Sequence, residues 1–140
     1  MVRLSKEEAR ALGLAPAASK YNNDKPTYYD PDLKESLKFD SVKEFEYYLV
    51  LKDRQKRGEI FSLKRQVKLQ IQPAFKTPDG KTIKEIFYIA DFTYFTQTYD
   101  DNGVFLQNVF HVVDVKGFKT DVYKLKKKLL AYRGVIIEEV

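Results

Sequence analysis

Cysteine is absent from the 140-residue chain, which excludes a thiolate zinc site and a disulfide framework. Histidine occurs once, as His111, which leaves little support for an imidazole-built metal site or a histidine-based nuclease. No apolar run approaches the ~20 residues of a membrane span, and the amino terminus lacks the pattern of a secretory signal. The expectation is therefore a cytoplasmic protein with no membrane partner. Neither GxxxxGK[ST] nor GxGxxG occurs, so no phosphate-cradling glycine loop of those kinds is present.

What is there is charge and aromatic strand. Of the whole chain 32% is charged and 44% apolar, and its net charge is +5, values of an ordinary globular domain of this length. The cations are bunched. Residues 52–68 hold seven Lys and Arg against two acids, and residues 116–133 hold seven against one. Two such segments on one side of a fold would attract a polyanion through counterion release. Spread apart, they are only solvated faces.

Residues 1–38 read as an arm or linker and residues 39–140 as the ordered domain. In the arm, SKEEARALGL is long enough for two helical turns, and Tyr21, Tyr28 and Tyr29 offer surface to the domain or to a partner subunit. In the domain, Ser41 with Glu44 three residues on fits a capping box, so a helix is expected from Val42, with Val42, Phe45, Tyr48, Leu49 and Lys52 inward and Gly58 as its stop. The period then changes to two. Strands are expected at 60–71, 82–98 and 104–115, with a TPDGK turn before the second. Asn102-Gly103 between the last two predicts a tight hairpin with positive φ at both central residues. Thr120 is a candidate N-cap for a second helix with an apolar stripe of Val122, Leu125, Leu129 and Tyr132, and 135–140 is a closing strand. Helix, three strands, helix, strand implies an α/β fold with a mixed sheet flanked by helices.

Alternation places Asp114 and Lys116 on one face of the third strand, with His111 on the other. Asp91 interrupts the aromatic run YIADFTYF, where a carboxylate is costly unless it meets a cation or donors. Two carboxylates converging from neighbouring strands with a lysine one step along would hold a hard divalent cation beside an ammonium, a combination suited to phosphodiester hydrolysis. Taken alone, Asp114 and Lys116 read more readily as an ion pair at a strand end followed by a glycine turn, Asp91 can satisfy backbone donors at a bulge, and Glu44 is already explained by the capping box.

Joined in order, an acid on the first helix, an acid on the second strand, D-x-K on the third and a basic helix resemble the PD-(D/E)XK nuclease superfamily, with its restriction-endonuclease-like αβββαβ core. FDSVKEFEYYLVLKDRQKRGEIFSLKRQ, YIADFTYF and DVKGFKTDVYKLKKKLL are together similar to a family of small phage and prophage proteins of that superfamily, catalogued as a domain of unknown function. The resemblance implies Asp91, Asp114 and the Val115 carbonyl as ligands of Mg²⁺ or Mn²⁺, Lys116 as the catalytic lysine, and Glu44 near the metal. It sets Gln66 at a position used on the first strand, and Thr120, Tyr123 and Lys126 in the pattern after the D-x-K-G. Lys119, Lys124, Lys126 and Lys127 are expected phosphate contacts. Ala90 replaces the name-giving proline, and Val113 stands where relatives often carry an acid. The implied protein is a phage DNA endonuclease for recombination, replication or packaging, a homodimer, with branched DNA as a candidate substrate. A nuclease fold kept as a non-catalytic DNA-binding or assembly module is the alternative.

Overall fold

The computed structural model describes residues 25–140, which divide into two compact units, the first ending at Glu46 and the second running from Tyr47 to Val140. The two helical turns expected at 5–14, and Tyr21, lie outside the described residues. In the first unit the stretch read as an irregular arm contains an antiparallel hairpin, β1 (Thr27–Asp30) with β2 (Glu35–Lys38). Its turn explains why period alone missed it. Asp30, fully buried, accepts the Asp32 N–H at 2.8 Å and the Leu33 N–H at 3.2 Å, and Lys34 takes a left-handed φ of 56°. Four-residue strands around such an Asx turn are too short to show alternation.

Helix α1 (Val42–Lys56) begins where the cap predicts: Ser41 Oγ accepts the Glu44 N–H at 3.1 Å, and Gly58 stops the helix with φ 75°. Its inward stripe is Glu44, Tyr48 and Leu51, whereas Val42 and Leu49 are exposed. Tyr48 stacks on Phe92 at 6.1 Å, and fitting that ring against the sheet sets the rotation of the helix.

The main sheet has the order β3 (Phe61–Gln72), β6 (Ile86–Tyr99), β7 (Phe105–Asp114), β8 (Ile137–Glu139). The first three strands are antiparallel, and β8 returns parallel to β7 through helix α2 (Asp121–Tyr132), so the fold is mixed α/β, with two helices among the described residues. The strand expected over 82–98 is split into β5 (Thr82–Ile83) and β6, and β5 pairs with β4 (Phe75–Lys76) in a separate small hairpin around the TPDGK turn, with Gly80 at φ 85°. The DDNG hairpin also departs from expectation, because only Gly103 has positive φ, 78°. Asp100 Oδ1 accepts the Asn102 and Val104 N–H groups, which favours a longer loop closed by a left-handed glycine over the two-residue turn.

Residues of one parity on β6 change partners at Asp91. Tyr88 and Ala90 join the core cluster of Val112, Tyr123, Leu130 and Ile137, while Phe92 meets Tyr47 and Tyr48 of α1. On β3, Leu69 and Ile71 belong to that same cluster, yet Arg65 lies over the Tyr48 ring. Between the pairs Arg65–Phe92 and Val67–Ala90 sit Gln66, with φ 50°, and Asp91. A left-handed residue inside a strand bends it, so Asp91 stands where the strand pair changes face.

Helix α2 is the other correction. Thr120 caps it, accepting the Tyr123 N–H at 3.1 Å, but the buried residues are Tyr123 and Leu130, and the expected apolar stripe is exposed. The Tyr123 ring packs 5.9 Å from Tyr88 while its phenol reaches Glu139, an amphipathic anchor that a count of aliphatic residues does not weigh.

Candidate metal centre

Phe92 faces Val113 across the β6–β7 ladder. One step beyond this last registered pair stand Asp91 on β6 and Asp114 on β7. The Val115 N–H donates to Asp91 Oδ2 at 2.8 Å. On the far side, Asp114 is in register with Glu139 of β8; the Val140 N–H donates to the Asp114 carbonyl at 3.0 Å and the Lys116 N–H to the Val140 carbonyl at 3.3 Å.

Asp114 is only 1% exposed, and neither carboxylate oxygen has a hydrogen-bond donor in good geometry. Lys116 Nζ, 2.6 Å from Oδ2, makes an ion pair with it. The Tyr88 hydroxyl, itself buried without an aligned partner, lies close enough that its pKa is raised, first by burial and then by Asp114. Lys116 is also 4.5 Å from the Tyr123 ring centroid and 5.9 Å from that of Tyr88. A buried carboxylate this poor in donors is costly. A hard cation ligated by oxygen would answer that cost, and the residues placed to hold one are Asp91 and Asp114, with the neighbouring Val115 carbonyl a further oxygen. Among the described residues no three His, Cys, Asp or Glu side chains gather as a metal cage. Mg²⁺ takes few protein ligands and keeps several waters, so a two-carboxylate set is within its habit.

Sequence reasoning missed Glu139. Its carboxylate is bound by Lys127, by Lys119 Nζ at 3.1 Å and by the Tyr123 hydroxyl, which donates at 3.2 Å. The hydrogen bonds from Lys127 and then Lys119 lower its pKa to about 2. Tyr123 is shifted upward, first by burial and then by Glu139. Nothing in VIIEEV signals this, because the register of a three-residue strand follows from where α2 delivers the chain.

The remaining expected residues divide. Lys119 and Lys127 gather at Glu139, beside Asp114. Lys126 turns to another side, 5.8 Å over the Phe87 ring, and Lys124 is exposed. Thr120 acts as the helix cap, and Gln66 stands across from Asp91 on β3. Glu44 belongs to the first compact unit, where it is buried and accepts the Asp40 N–H at 3.4 Å. The structure thus brings together Asp91, Asp114, Val115 and Lys116, with Lys119 and Lys127 one strand away. His111 is on the opposite face, as alternation expects, against Tyr94 and Glu138. Among the described residues no helix is long and apolar enough to cross a membrane.

A family model described as "Protein of unknown function (DUF1064)" matches residues 18–138. No curated protein and no solved structure matches the chain.

Proposed function

We propose that this chain, which belongs to the DUF1064 family, is a Mg²⁺- or Mn²⁺-dependent DNA endonuclease on a restriction-endonuclease-like core. The observation that carries the reading is Asp114: buried, without aligned donors, beside Asp91 and paired with Lys116 at 2.6 Å. Asp91, Asp114 and the Val115 carbonyl would hold the cation. When bound, it would neutralise phosphate charge and lower the pKa of a coordinated water. Lys116 then leaves its ion pair with Asp114 and turns to the substrate, where its ammonium orients the attacking water and stabilises charge developing on the phosphate. Tyr88 and Tyr123 keep their protons at neutral pH, since both pKa values are raised, and so serve as donors and not as bases. Lys119 and Lys127, held by Glu139, border the centre with positive charge for the adjoining phosphates. The finer reading is a phage protein of the host cytoplasm that acts as a homodimer on branched DNA.

The test is a cleavage panel of linear, nicked and four-way-junction DNA with Mg²⁺, Mn²⁺ or EDTA. Metal-dependent products are expected, with Asp114→Ala and Lys116→Ala each slower by at least about a hundredfold, the scale of lost acid–base and electrostatic assistance. Absence of cleavage, or cleavage indifferent to both substitutions, overturns the reading. Salt-dependent DNA binding without turnover would instead establish the non-catalytic module.

A further inference from the structure

Helix α2 shows its apolar stripe to solvent. Val122, Leu125 and Tyr132 are 61%, 57% and 93% exposed, and Leu129 is 37% exposed. The spacing, i, i+3, i+7, i+10, is that of a seam that meets another helix, not that of scattered surface leucines. Beside it opens a groove of about 350 Å³, where Val122, Leu125 and Leu129 meet Ile86 and Phe87 of β6, with Lys126 and Glu85 also lining it; the Glu85 carboxylate is already paired with Lys68. Monomeric surfaces seldom leave so continuous an apolar strip uncovered.

Charge selects the occupant. At 100° per residue, Lys126 borders the stripe on one side and Lys128, then Lys124, on the other, where Asp121, the one acid in the helix, also lies, so that cations outnumber the acid three to one along the borders. A second copy of the helix would set lysine rows against lysine rows, which like-charge repulsion disfavours. An amphipathic helix with acidic borders meets both the apolar seam and the cationic rails, in the helix-in-groove manner. We propose that α2 and the neighbouring start of β6 form the docking surface for an acidic amphipathic helix of a partner protein. This surface is separate from Asp91 and Asp114 and is independent of the proposed nuclease activity.

The probe is a fluorescein-labelled synthetic helix with leucines at the same spacing and glutamates on both borders, titrated with the full chain and followed by anisotropy. Two control peptides carry lysine in place of glutamate, or the same composition scrambled. The acidic helix is expected to bind with a Kd of order micromolar and to weaken as salt rises. Leu125→Asp and Leu129→Asp should each weaken it by about tenfold or more, as for anchor residues of an interface. Val104→Asp, an exposed apolar position on the β6–β7 loop, should leave it unchanged. Circular dichroism establishes that the exposed-site variants fold. Equal binding of the three peptides overturns the proposal. So does a concentration-dependent dimer dissolved by Leu125→Asp, which would make a second copy the occupant. Binding to phosphatidylglycerol vesicles that Leu125→Asp abolishes, without binding to the acidic peptide, also overturns it.

Discussion

The two faces of the sheet at β8 handle their polar groups in opposite ways. On one, His111 stacks on Tyr94 at 4.8 Å, its Nδ1 donates to Glu138 Oε2 at 3.0 Å, and its Nε2 meets the Thr96 hydroxyl at 2.7 Å. Both ring nitrogens are answered by protein. On the other, a strand's thickness away, Asp114 and Tyr88 keep polar atoms without an aligned partner. On the first face the imidazole is satisfied by folding alone, whereas on the second Asp114 is balanced chiefly by the ion pair with Lys116. Groups of the second kind cost stability, and they mark functional candidates because a single ion pair repays that cost only in part.

Removing a member of the His111 face should therefore have the larger effect on stability. His111→Ala is expected to lower unfolding free energy by about 1–3 kcal/mol, since it leaves Thr96 and Glu138 without their partner and empties the ring stack. Urea denaturation measures this. A loss below a few tenths of a kcal/mol would erase the contrast.

The Asp114 face should respond with the opposite sign. Asp114→Asn removes a buried charge while keeping its shape, and Lys116, with a quarter of its side chain exposed, can turn to water. The expected result is a gain of about 1 kcal/mol alongside lost cleavage, the trade common at functional sites. Added Mg²⁺ should raise the Tm of the wild type, by mass action on the folded state, and leave that of Asp114→Asn unchanged. A destabilised Asn variant, or equal Mg²⁺ responses, would mean that Asp114 is an ordinary structural ion pair.

How legible each face was follows from the range of the interactions that build it. Alternation along 104–116 separates His111 from Asp114, and the Ser41 and Thr120 caps are local signals, so these could be read directly. The α2 stripe could not, because its inward face is chosen by Tyr123, whose ring needs Tyr88 and whose phenol needs Glu139, both far off in sequence. The bend at Gln66 and Asp91 was half legible: the misplaced carboxylate in an aromatic strand stood out, but the left-handed glutamine opposite it carries no sequence signature. Glu139 was hidden altogether, since a parallel partner three residues long has its register set by the crossover helix.

The smallest expected effect concerns that hidden residue, which sits on the Asp114 face yet is itself fully engaged. The pKa of Glu139 is depressed to about 2 by Lys127, Lys119 and Tyr123, against about 4.3 for an unfolded glutamate. A depressed carboxylate stabilises the fold above its unfolded pKa, and that contribution drains away as pH falls through the folded value. Wild type should accordingly exceed Glu139→Gln in urea midpoint at pH 6, and the gap should narrow steadily between about pH 4.3 and pH 2. Other carboxylates titrate in the same window in both proteins, so the difference between the two curves isolates this residue. High salt should shrink the gap at pH 6, because these lysines are partly exposed and screened. A gap that stays constant down to pH 2 would show that Glu139 is held by its packing and not by its charge, and Lys119 and Lys127 would then lose the anchor that keeps them beside Asp114.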